Sequence, residues 1–188
     1  MTNILFALSM LAASLTVDAA EVSGVKIDDK TSLGGKELVL NGAGLRTRLI
    51  IKVYVAALYL PQKASTAQAA LAKDEPRRMA MLLQRDVNYE QLLEAMRAGL
   101  AENNSQSELD AIKPQVDQFV KIFASVGEVK NGQVIWIDYT PEEGTQVLVD
   151  GKSKGAIVGQ AFNRALMRVW LGDNPVQESL KKALLGTG

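Results

Sequence analysis

The sequence predicts an α+β domain, a largely antiparallel sheet with helices gathered on one face. Two observations carry this. β-rich segments and helical segments come in blocks, strands then helices then strands then helices, rather than in strict alternation. The chain has 188 residues, 47% hydrophobic and 22% charged, which suits one domain with a sizeable core. No repeat, low-complexity tract or Pro/Gly-rich linker interrupts residues 21–188, so they are read as a single domain.

Each element has its own signal. Residues 22–27 read as a first short strand and 28–30 as a turn. Gly34-Gly35 punctuates before a second strand at 36–40. The stretch NGAGLRTR, residues 41–48, sets two glycines and two arginines between apolar runs and reads as a loop. Residues 49–60 are apolar on both faces, which predicts a central strand ended by Pro61. Residues 67–73 suit a short helix. Residues 77–84 suit a strand with Met79, Met81 and Leu83 on one face. Asn88, three residues before Gln91, caps a helix carrying Tyr89, Leu92, Leu93, Met96 and Leu100 at helical spacing. Ser107 opens the next helical pattern, divided by Pro114 and closed by Gly127. Residues 133–139 and 145–149 form a hairpin around Pro141-Glu142-Glu143-Gly144. After a turn at Asp150-Gly151 and a short basic loop at Lys152-Ser153-Lys154, a long helix is expected over residues 157–170, closed by Gly172. Asn174-Pro175 then starts a last helix with Leu180 and Leu184 inward.

At the N-terminus, residues 4–15 form an apolar stretch of leader length, with small residues at Ala19 and Ala20 for cleavage. The stretch is short for a membrane span. Residues 1–20 are therefore expected to be a signal peptide for export, although Met1-Thr2-Asn3 lacks the usual positive charge. The alternatives are a membrane tether or a start placed too far upstream. Cleavage would remove Asp18, move the net charge from zero to +1, and leave no membrane span.

Composition excludes several chemistries. Neither cysteine nor histidine occurs, so thiol nucleophiles, disulfides, histidine triads and the usual zinc sites are excluded, and no metal or cofactor is expected. Balanced charge, 21 basic against 21 acidic residues, makes nucleic acid a poor partner. Gly42-Ala43-Gly44 lacks the third glycine of a dinucleotide site, and no Gly-Lys-Ser/Thr follows. Most arginines are solvated, so Arg46 taken alone reads first as a strand-edge cation in water and only second as a ligand group. Tyr89 reads first as core, with its hydroxyl tied to a neighbour. Tyr54 and Tyr59 are separated by an odd number of residues and face opposite sides of their strand. Trp136 and Trp170 read as core, and Glu142-Glu143 as a solvated hairpin tip.

Gly42-Ala43-Gly44-Leu45-Arg46 resembles the Gly-x-Gly-x-Arg stretch of chalcone isomerases, and residues 52–60 resemble the strand that follows it. Residues 119–123, then Leu171-Gly172 leading to Leu180-Lys181, fall in the same order as in the plant enzymes, and the resemblance runs from about Val22 to the C-terminus. The chain thus resembles a bacterial chalcone isomerase-like protein. The resemblance implies an open-faced β-sandwich with a helical layer and a cleft between them. Arg46 stands where the family has its catalytic arginine, and Tyr89 matches its active-site tyrosine. A shorter following loop leaves Arg48 as a rival. Three polar substrate contacts depart, falling here on Tyr54, Met96 and Val169. The family arginine stabilises a developing enolate, work suited to a permanently charged fork of donors. One cation, one phenol and an apolar cleft suit instead a small apolar carboxylate such as a fatty acid, as bound by related plant members of the fold. Arg46 and Tyr89 are the expected donors, with Tyr54, Leu92, Met96 and Val169 around them. The alternatives are an intramolecular lyase acting on an unknown enone, with Arg46 and Tyr89 catalytic, and a non-catalytic structural or partner-binding protein.

Overall fold

The computed structural model describes residues 20–188; the expected leader lies outside them apart from its last residue, Ala20. In chain order the strands and helices are β1 (Ala20–Val22), β2 (Val25–Ile27), β3 (Lys30–Leu33), β4 (Lys36–Arg48), β5 (Ile51–Leu60), α1 (Ala67–Ala72), β6 (Arg77–Leu83), β7 (Val87–Asn88), α2 (Tyr89–Asn103), α3 (Gln106–Ala111), α4 (Lys113–Val126), β8 (Glu128–Val129), β9 (Val134–Thr140), β10 (Gly144–Val149), β11 (Lys152–Ile157), α5 (Gln160–Leu171) and α6 (Glu178–Leu184). Seven strands form one antiparallel sheet in the order β11-β10-β9-β6-β5-β4-β3. The central position expected for the apolar run holds, since β5 lies between β4 and β6.

The helices cover one face. Alternate residues of β5 and β6, among them Tyr54, Ala56, Leu58, Met79, Met81 and Leu83, join Leu92, Met96, Phe119, Phe123, Phe162 and Trp170 in the main core. The opposite face carries a smaller cluster of Val55, Ala57, Tyr59, Leu38 and Leu40, with Ile27 from the β1–β2 hairpin. Trp136 is not core. It lies half-buried on this second face, beneath the guanidinium of Arg78 at 4.3 Å, and Arg78 in turn makes a two-pronged ion pair with Asp138. A planar cation with a fork of donors can stack and pair in this way at once.

Five local expectations are corrected. The first strand is two strands joined at Ser23-Gly24. Residues 41–48 are no loop, because β4 runs through them for 13 residues and turns only at Leu49-Ile50. The long helix begins at Gln160 rather than 157; Lys152, Ser153 and Lys154 instead open β11, which pairs with β10. Ser105, not Ser107, caps α3 through a full capping box with Glu108. The last helix starts at Glu178 after Gln177, not at Asn174-Pro175; Asn174 instead holds the end of α2 through Asn103 and Glu102.

Gly42 and Gly44 serve neither a turn nor a left-handed backbone. Both point toward α6. A Cβ on Gly42 would lie 2.1 Å from the Ala183 carbonyl oxygen, and one on Gly44 would lie 2.7 Å from the Ala183 Cβ. The two bare positions form a saddle in which α6 lies on the strand. Polar side chains fix both ends of the helix. Asn41, at a bulge in β4, donates to the Leu184 carbonyl at 2.7 Å. Gln177 donates to the Leu45 carbonyl at 3.1 Å and accepts from the Thr47 N–H at 2.9 Å.

Candidate functional site

Arg46 lies directly across from Tyr54 in the β4–β5 pair, so the two side chains share the helix-covered face. Immediately beyond them the register shifts between Arg46 and Thr47, and Val53 becomes the extra residue of a bulge. A bulge adjacent to a site re-aims side chains, and here Val53 and Tyr54 both reach the same cavity.

That cavity, about 130 Å³, lies between the β4–β5 hairpin and helices α2 and α5. Its walls are apolar: Val53 and Ile51 from β5, Leu92, Ala95 and Met96 from α2, and Val169 from α5. Its polar lining is Arg46, Arg48, Arg85, Gln91 and the Tyr54 phenol. No carboxylate lines it, and none of the three arginines forms an ion pair among the described residues.

The polar groups are held differently. Arg46 is half-buried; its Nη1 donates to the Thr47 carbonyl and, at 3.2 Å, to Gln177 Oε1. Because the same Gln177 oxygen also accepts from Thr47, this residue at the N-cap of α6 orients the guanidinium at the cavity edge. The Tyr54 hydroxyl accepts a hydrogen bond from Trp170 Nε1 at 3.0 Å. Burial pushes this phenol up from its ordinary pKa, and the Trp170 donor and the Arg46 charge partly oppose the shift. A neutral phenol that already accepts from an indole keeps its own proton to give. Arg48 and Arg85 are exposed at the rim.

Of the residues expected at the site, the cavity unites Arg46, Tyr54, Leu92, Met96 and Val169, and Arg48 joins Arg46 rather than replacing it. Tyr89 does not line it. It is half-exposed in the first turn of α2, where the neighbouring Glu90 raises the phenol. The phenol beside Arg46 is that of Tyr54. Arg85, Gln91 and the indole of Trp170 were not anticipated. Arg85 follows the end of β6, the strand next to β5, and only the sheet order brings it to the rim.

A curled antiparallel sheet with helices on one face and an arginine-edged cavity between them defines the class: an α+β protein of the chalcone isomerase type. The description "Chalcone isomerase-like" matches residues 19–186, and the chain belongs to that family. Among solved structures, the chain is similar to the crystal structure of a fatty-acid binding protein from Arabidopsis thaliana, with a TM-score of 0.68 and 15% identity over 87% of this chain and 92% of the other. A search of curated proteins finds no match.

Proposed function

We propose that this protein binds a small apolar carboxylate of the fatty-acid type, with its acyl chain in the cavity and its carboxylate facing Arg46, Arg48 and Arg85. The observation that carries the reading is the lining itself: three guanidiniums without a counter-charge among the described residues, on a largely apolar cavity. Carboxylates match the arginine fork, and desolvated apolar walls match methylenes. The fatty-acid binding named for the Arabidopsis protein of the same fold supports it. The cavity is small beside the roughly 300–1,000 Å³ of drug-sized sites, which favours a short or medium chain. Tyr54 is the partner phenol, placed to donate to the same headgroup. The apolar leader stretch at residues 4–15 supports a periplasmic location in the same reading.

Calorimetric titration with decanoate and with decanol tests it. Both offer the same chain, and only one offers a charge. Decanoate binds better to the wild type. A charge-assisted hydrogen bond contributes about 1.5–3 kcal/mol, so Arg46→Ala weakens decanoate by roughly tenfold or more and leaves decanol nearly unchanged. Arg46→Lys restores only part, since an ammonium lacks the planar fork. Equal decanoate affinity in wild type and Arg46→Ala sinks the assignment, and a loss confined to Arg48→Ala moves it two residues along the strand.

A further inference from the structure

The β4–β5 turn has an unusual composition. Two-residue hairpin loops with a left-handed first position favour glycine there. This one has Leu49, at φ 56°, and Ile50. Leu49 is 93% exposed, Ile50 96% and Ile51 47%, and these are three of the four large exposed hydrophobic residues among the described residues. A soluble surface scatters such residues singly, whereas here they are consecutive at the outermost point of a hairpin.

The charged residues that flank the tip in the hairpin are all cations. Arg48 precedes the turn and Lys52 follows Ile51, with Arg46 and Arg85 at the cavity rim behind. Lys52 donates to the Ser23 hydroxyl at 2.8 Å and forms no ion pair among the described residues. Beside Arg85, the Asp86 carboxylate is engaged elsewhere, by Lys130 at 3.2 Å and the Asn131 N–H at 2.8 Å. An apolar point collared by cations is complementary to a layer whose surface is anionic and whose interior is hydrocarbon. The tip is also continuous with the cavity, because Arg48 and Ile51 belong to both.

We propose that the Leu49-Ile50 tip docks this protein on an anionic lipid bilayer, with the two side chains entering the acyl region, the cations at the headgroups, and the cavity mouth facing the membrane. Docking goes beyond carboxylate binding and is measured without a cavity ligand. The chain's lack of cysteine lets one introduced thiol report on one site.

The test uses the full chain as its host processes it, with every variant sharing the same N-terminus. An environment-sensitive dye on Ile50→Cys should turn blue and become quenchable by lipid-borne quenchers on phosphatidylglycerol vesicles, but not on phosphatidylcholine vesicles. The same dye on Glu142→Cys, at the hairpin between β9 and β10, should stay in water. Leu49→Ser with Ile50→Ser should lower vesicle partitioning roughly tenfold or more, given the apolar area removed. Lys52→Glu should lower it about fivefold or more on anionic vesicles only. Neither change touches the cavity lining, so decanoate titration stays at the wild-type value and separates this proposal from the ligand site. A dye at position 50 that remains in water on phosphatidylglycerol overturns the proposal. So does a tip that instead buries in a second copy, seen as dimerisation abolished by Leu49→Ser with Ile50→Ser.

Discussion

Gly42→Ala distinguishes two reasons for a glycine. Its φ is not left-handed, so alanine is compatible with the backbone. If the glycine only loosened the chain, alanine would stabilise by about 0.4–1 kcal/mol through the unfolded state. The packing predicts the opposite sign. The new Cβ would lie 2.1 Å from the Ala183 oxygen and 2.8 Å from the Leu184 oxygen, both of them helix backbone that cannot swing aside. Ordinary carbon–oxygen approach is about 3.3 Å, so the C-terminal turn of α6 must lift by on the order of 1 Å. Overpacking of this kind costs about 1–3 kcal/mol. Full undocking sets the upper bound: it would expose Leu180 and Leu184, at about 1.5–3 kcal/mol each. A loss near 3 kcal/mol lowers the melting temperature by about 6–12 °C for a domain of this size. Gly44→Ala should cost less, because one of its close neighbours is the Leu180 Cδ1 at 3.0 Å, a side-chain end that can rotate. Reversible denaturation of the three proteins decides the matter. Equal or greater stability in Gly42→Ala would refute the saddle.

Three further outcomes are expected. Ordinary chalcones should give no flavanone above the spontaneous rate, since Met96 and Val169 offer no polar contact; a stereoselective rate abolished by Arg46→Ala would show otherwise. Stability should fall as pH rises from about 10 toward 12, because Tyr59 and Tyr139 are each pushed up to about 12 in the fold, and the unfolded chain, at the ordinary value near 10, releases those protons first; denaturation midpoints unchanged across this range would count against it. Leu49→Gly should raise stability by about 0.5–1 kcal/mol, since a left-handed leucine costs more than the chain entropy of glycine and its side chain is solvated, and an unchanged or lower urea midpoint would remove that reasoning.

The sequence conveyed the fold class, the central strand, most helices and the position of Arg46 on a cavity, because these rest on periodicity and on one short motif. It misled where turn chemistry is inverted. Glycines occupy the body of β4, and a leucine and an isoleucine occupy its turn, so the pattern of 41–60 places the corner some residues too early. The error at 157–158 has a related cause. Ile157 fits the apolar stripe of α5 yet is buried as the last residue of β11, and Val158 is exposed between them, a distinction periodicity cannot draw over two residues. Tyr89 and Tyr54 were both visible as phenols. Only the cross-strand register pairs Tyr54 with Arg46, and register over a bulge is a tertiary property.

The double attachment of α6 also has a temporal consequence. The helix comes after every other element in chain order, and Gln177, just ahead of it, orients Arg46, which lies 131 residues earlier. During synthesis, the sheet and the earlier helices emerge before that partner arrives. The cavity edge is therefore finished by a segment that emerges after the sheet and helices α1 to α5, and until then Arg46 lacks its Gln177 partner.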